Sequence, residues 1–150
     1  MAPDGPFLRD HFELVLQRDV EFPARFYEIL FARHPDVRSL FARNSDGAQH
    51  SLLAQTLMAV LDHIEEPQWL GDRLSALGEQ HLRYGVTPEM YDWVGDALIA
   101  AIAEATADVW SPRHQAEWTS AYQLMVAFMC KAGSASEAKT SGDEQKRHPV

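Results

Sequence analysis

One cysteine in 150 residues, Cys130, excludes an intramolecular disulfide framework and a zinc cage built from several thiolates. No apolar run approaches the roughly 18 residues of a membrane-spanning helix. Basic residues are in the minority, 13 Lys and Arg against 22 Asp and Glu, for a formal net charge of −9. Phosphate backbones and anionic lipid surfaces are held by clustered Lys and Arg that release counterions, and this chain has no such cluster. Nucleic acid and membrane are therefore not expected as partners. The opening Met-Ala-Pro-Asp-Gly-Pro lacks the basic start and apolar stretch of a signal peptide, so a cytoplasmic protein is the expectation. Also missing are G-x-S-x-G, G-x-x-x-x-G-K-[ST], H-E-x-x-H and G-x-G-x-x-G, and with them the chemistries those motifs carry.

What is present is a large apolar content. The chain is 46% hydrophobic, with four Trp, seven Phe and four Tyr. That suits one domain, whose core at this length leaves room for a small-molecule pocket. Apolar residues recur with helical period almost throughout. Phe7, Leu8, Phe12, Val15 and Leu16 form a first stripe. After Pro23 come Phe26, Tyr27, Leu30 and Phe31, and Pro35 opens a short turn ending at Leu40-Phe41. Leu53, Leu57, Val60, Leu61 and Ile64 recur at i, i+4, i+7, i+8 and i+11. Leu70, Leu74, Leu77 and His81 continue the period to Gly85. Thr87-Pro88 starts a helix carrying Tyr91, Val94, Leu98 and Ile102, and Ser111-Pro112 starts the last, with Trp118, Tyr122, Met125, Val126 and Met129. No alternating strand pattern interrupts them, so the expectation is an all-α fold of about seven or eight helices. Residues 134–150 contain no Leu, Ile, Phe or Trp, and their three acids and three bases cancel. They read as a disordered polar tail after a domain of residues 1–133.

The chemistry rests on the seven histidines. His11, His34, His114 and His148 stand in polar or terminal contexts and read as surface residues. His63 follows Asp62 near a helix end, where a partly charged imidazole suits the dipole. His81 differs, because it lies on an apolar face one turn after Leu77. A buried imidazole needs a partner for each nitrogen. Two arrangements meet that need: a hydrogen-bonded core histidine, or an axial iron ligand whose other nitrogen donates to a carbonyl such as that of Leu77. Cys130, with only Lys131 close by, reads as a packing residue rather than a nucleophile.

The run Phe26-Tyr27-Glu28-Ile29-Leu30-Phe31, then Pro35 and Phe41, precedes a pattern G-x-x-H-x-x-Y-G-V-x-x-x-x-Y-x-x-V-G from Gly78 to Gly95. Together they resemble bacterial single-domain globins and the globin domain of flavohaemoglobins, from about Phe12 to Met129. The resemblance implies a three-over-three helical sandwich around haem b (iron protoporphyrin IX). It implies His81 as the iron ligand, Phe41 on the porphyrin face, and Tyr27 with Gln49 as the distal pair that hydrogen-bonds bound O2. Leu53 would lie over the iron, and Tyr91 would hydrogen-bond near the ligand histidine.

Two positions bear on the haem chemistry. On a helical wheel His50 lies about 36° and Gln49 about 64° from the centre of the Leu53–Ile64 stripe. Periodicity thus favours His50, whereas the family register favours Gln49. Gln49 is the choice here, and an inward His50 would make a six-coordinate haem suited to sensing or electron transfer. In flavohaemoglobins a glutamate on the last helix partners the proximal histidine; counting from Trp118 and Tyr122, Gly133 stands there. Without that carboxylate His81 is less electron-donating. The function implied is reversible binding of O2, with NO and CO as further ligands, for O2 storage or delivery or NO detoxification. NO dioxygenase turnover would need an external reductase, since the chain ends where a flavin reductase domain would begin.

Overall fold

A computed structural model describes the backbone of residues 3–44 and 49–147, and the side chains of residues 3–40 and 52–130. Among the described residues there are seven helices and no strand. They are α1 (Gly5–Arg18), α2 (Phe22–Arg33), α3 (Val37–Asn44), α4 (Gln49–Asp62), α5 (Pro67–Arg83), α6 (Pro88–Ala105) and α7 (Pro112–Arg147). The starts follow local chemistry. Asp4 caps α1 by accepting the Phe7 N–H at 3.1 Å. Proline occupies the first turn of α2, α5 and α6, where its missing N–H leaves no helical bond unmade. Gly85, at φ +91°, supplies the left-handed residue that ends α5.

Packing is dominated by two helix pairs, α5 on α7 and α2 on α6, with α1 laid across α4, α6 and α7. The α5–α7 pair is close because Gly78 has no side chain. A Cβ there would strike the backbone of Met129, whose Cα would lie only 2.9 Å away. The core between the pairs is apolar and aromatic: Leu8, Phe12, Phe22, Phe26, Leu30, Leu61, Leu70, Leu74, Ile102 and Trp118 are essentially sealed from water. Phe12 meets Phe22 and Trp118 edge-on, at 5.7 and 6.0 Å between ring centres, the arrangement that aromatic quadrupoles favour.

Three histidines depart from the surface reading. His11 is 5% exposed, because it shares the inward face of α1 with Leu8, Phe12 and Val15 and finds polar partners there. His34 is half-buried and stacks on Trp93 at 4.3 Å, and half-buried His114 packs 4.9 Å from the Phe7 ring. Each exchanges water for an aromatic face. His148 lies outside the described residues. The α7 backbone continues as helix to Arg147, through the stretch expected as a tail, while side chains from Lys131 onward lie outside the described residues.

Candidate functional site

His81 sits in the last turn of α5, half-buried, with its Nδ1 3.3 Å from the hydroxyl of Tyr91 on α6. Its partner is thus a phenol on the next helix rather than the Leu77 carbonyl. The backbone turn after His81 makes this possible. Val86 and Tyr84 both donate to the His81 carbonyl, at 3.0 and 3.1 Å, which folds the chain back so that α6 starts beside α5. Among the described residues His81 Nε2 has no hydrogen-bond partner, yet no buried side-chain nitrogen or oxygen is left unsatisfied. Nε2 therefore borders accessible space. Burial holds the imidazole below its usual pKa, so the ring is neutral near pH 7 and one nitrogen keeps its lone pair.

Tyr91 is itself held from behind. The Tyr122 hydroxyl on α7 donates to the Tyr91 carbonyl at 2.6 Å. Its ring reaches there by lying across Gly95, where a Cβ would come within 2.5 Å of it. Burial first, and the Cys130 thiol second, push the Tyr91 hydroxyl up to about 12. The Cys130 thiol is in turn raised by burial and by Asp92, which fits a packing residue and not a nucleophile. In the sequence Tyr122 stands on the apolar stripe of the last helix, with no functional role assigned to it. Its place in the Trp118-x-x-x-Tyr122 spacing was the available signal, but the acceptor it reaches depends on how α7 crosses α6.

Of the other expected residues, Tyr27 lies on α2, buried, with its ring against Phe26 and Phe31. Burial pushes its hydroxyl up to about 12, so it stays protonated and able to donate. Leu53 on α4 and Leu77 on α5 are half-buried and packed against the same hydrophobic core as Tyr27 and Tyr91. The structure thus brings His81 and Tyr91 into contact, while Tyr27, Leu53 and Leu77 lie on α2, α4 and α5 and pack on the common core. The side chains of Phe41, Gln49 and His50 lie outside the described residues. A groove of about 650 Å³ runs between α2, α6 and α7, lined by Arg33, Asp92, Asp96, Ile99, Tyr122 and Gln123 among others. None of the expected site residues lines it among those described.

The signature of the globin family matches residues 24–129, more than two thirds of the chain. The chain belongs to the globin family. Among curated relatives, a flavohemoprotein of Rhizobium meliloti is 30% identical over 143 residues, which are 94% of this globin and 33% of that protein. An uncharacterised globin-like protein of Aquifex aeolicus is 31% identical over 122 residues, covering 80% of this globin and 79% of that one. This globin spans about a quarter to a third of the flavohemoproteins it matches. Among solved structures, a bacterial globin from Campylobacter jejuni superposes with a TM-score of 0.75 at 20% identity, over 89% of this chain and 96% of that one. An engineered carbene transferase from Rhodothermus marinus gives 0.76 at 25% identity, over 91% and 95%. The all-α class expected from helical periodicity, and the globin fold that the resemblance implied, are what is observed.

The residues present suit the haem that the flavohemoprotein relatives imply for this globin. A neutral imidazole with Nδ1 engaged and Nε2 open is the state in which histidine ligates iron. No helix among the described residues is long and apolar enough to cross a membrane.

Proposed function

We propose that this globin holds haem b through His81 and binds O2 reversibly in the cytoplasm, with NO and CO as further ligands, for O2 storage or delivery or NO detoxification. The observation that carries this reading is the uneven state of His81: Nδ1 bonded to Tyr91, Nε2 open. When bound, haem b would supply a ferrous iron able to take a diatomic gas. The rest of the work falls to side chains. Tyr91 orients the imidazole by accepting its Nδ1–H. A neutral phenol attracts that proton less than a carboxylate would, so His81 remains imidazole. Tyr27 keeps its proton across the neutral range and offers an O–H to charge developing on O2. One such neutral bond contributes about 0.5–1.5 kcal/mol, and more where water is excluded. Gln49 acts as the second donor, and Phe41, Leu53 and Leu77 form the apolar wall. NO dioxygenation would draw its electrons from a separate reductase. Residues 1–133 form the globin domain, and residues 134–150 a polar tail.

The test is the absorption spectrum of the purified protein, as isolated, reduced with dithionite, and reduced under CO. A reduced form with one broad visible band and a CO adduct with a sharp Soret band is the expected result. Split visible bands in the reduced form would replace this reading with a six-coordinate haem, His50 being the first ligand to test, in a sensor or electron-transfer protein. Absence of a Soret band after haem reconstitution would overturn the assignment. Tyr27→Phe should speed O2 release on the order of tenfold, measured by stopped flow.

A further inference from the structure

His11 is buried on the inward face of α1, and nothing in the haem reading uses it. Its ring is sealed between three helices. Trp118 Nε1 on α7 donates to His11 Nδ1 at 2.8 Å, and His11 Nε2 lies 3.0 Å from Thr106 Oγ1, just past α6. Thr106 Oγ1 donates to the Ile102 carbonyl at 2.9 Å. An indole N–H can only donate, so Nδ1 must carry the lone pair and Nε2 the proton. The chain of bonds then runs one way, from Trp118 to His11 to Thr106 to Ile102, and every hydrogen has an acceptor. A proton added to Nδ1 would set two N–H groups against each other at 2.8 Å with no acceptor between them.

Among the described residues, the burial and the charges that act on His11 all disfavour an imidazolium. On α1 itself the facing charge is Arg18, which pairs with Asp108 of the α6–α7 connection. From α7 comes His114, its ring centre 4.4 Å from that of His11, with its Nδ1 2.7 Å from Ser111 Oγ. Arg113 beside it pairs with Asp4 at 2.9 Å and lies over the Phe7 ring, and Glu117 accepts the Asp4 N–H at 2.7 Å. On α6, Glu104 is taken by Arg25. The third helix packed on α1 is α4, which meets it through the Arg9–Asp62 pair at 3.0 Å, and Arg9 also faces Glu13. Every carboxylate named here is paired elsewhere or accepts another donor.

We propose that His11 is a proton-operated latch: uptake of a proton at Nδ1 releases α1 from α6 and α7 before the α5–α7 and α2–α6 pairs open. Desolvation, His114 and Arg18 together set the imidazole at about 4, which places the release in mildly acid conditions. The latch involves neither His81 nor Tyr27, so it stands or falls apart from the haem reading.

Hydrogen exchange on the full-length protein as purified, read by mass spectrometry at pH 7.5 and pH 5, tests it. After correction for intrinsic rates, α1 peptides should lose protection about tenfold or more at pH 5, while peptides of α5 and of α7 up to Cys130 change less. His11→Gln keeps an acceptor for Trp118 and a donor for Thr106 but cannot titrate in this range, so its α1 protection should not depend on pH. Equal acid loss in that variant, or simultaneous opening of all helices in the wild type, would overturn the latch. The His11 titration followed by NMR in the wild type decides the matter even if the variant folds poorly. A midpoint near 6.5 with α1 still protected would refute it.

Discussion

His11 on α1 and His81 on α5 are both kept neutral by burial. They differ in what their nitrogens do. At His11 both are spent, one accepting from Trp118 and one donating to Thr106. At His81 one is engaged by Tyr91 and the other borders open space. A histidine whose donors and acceptors are all matched holds structure together, while one with a matched Nδ1 and an open Nε2 has a lone pair for a ligand. Burial alone does not separate the two roles; the count of partners does.

The strongest way to break this comparison is to delete each ring. His81→Ala should lower haem affinity on the order of 100-fold or more while leaving the helical content in place, checked by haem titration and circular dichroism. His11→Ala should do the reverse. It strands the Trp118 N–H in a dry cavity and should cost about 2–4 kcal/mol in urea unfolding, with the Soret band of the loaded protein unmoved. Acid sharpens the contrast. Unfolded, His11 takes a proton near pH 6.5; folded, it does so only at about 4. The unfolded chain thus binds more protons between these values, so the His11 contribution is complete above about pH 6.5 and lost as pH falls toward about 4. The loss is at most about 3 kcal/mol and should vanish from the pH dependence of the urea midpoint in His11→Gln. Tyr91→Phe is milder. It removes one bond to Nδ1 and should weaken haem retention by about tenfold or less, with a shifted iron–histidine stretching band in resonance Raman spectra of the ferrous protein. Smallest of all, truncation after Gly133 should change stability by no more than about 0.5 kcal/mol and leave the CO spectrum unchanged.

Much of the fold was legible in the sequence. The stripe from Leu53 to Ile64, the proline starts at Pro23, Pro88 and Pro112, and the motif from Gly78 to Gly95 rest on local rules, 3.6-residue periodicity and first-turn chemistry, which one chain displays without knowledge of its neighbours. The candidate site was legible in part, because the spacing from Gly78 through His81 to Tyr91 carries the likeness to known globins. His11 was not. Asp10 before it and Glu13 two residues on look like a solvent face, and only its register with Leu8 and Val15 hinted otherwise.

The sequence by itself determined that the chain is helical, where most helices start, and which histidine stands on an apolar face in a family pattern, since each of these is set by interactions within a turn or two. The tertiary structure alone decided which donor meets which acceptor. His11 meets Trp118 across 107 residues and Thr106 across 95, and Tyr122 meets the Tyr91 carbonyl across 31. Such bonds depend on how rigid helices cross. That crossing is set by close contacts such as Gly78 on Met129, which local periodicity does not encode.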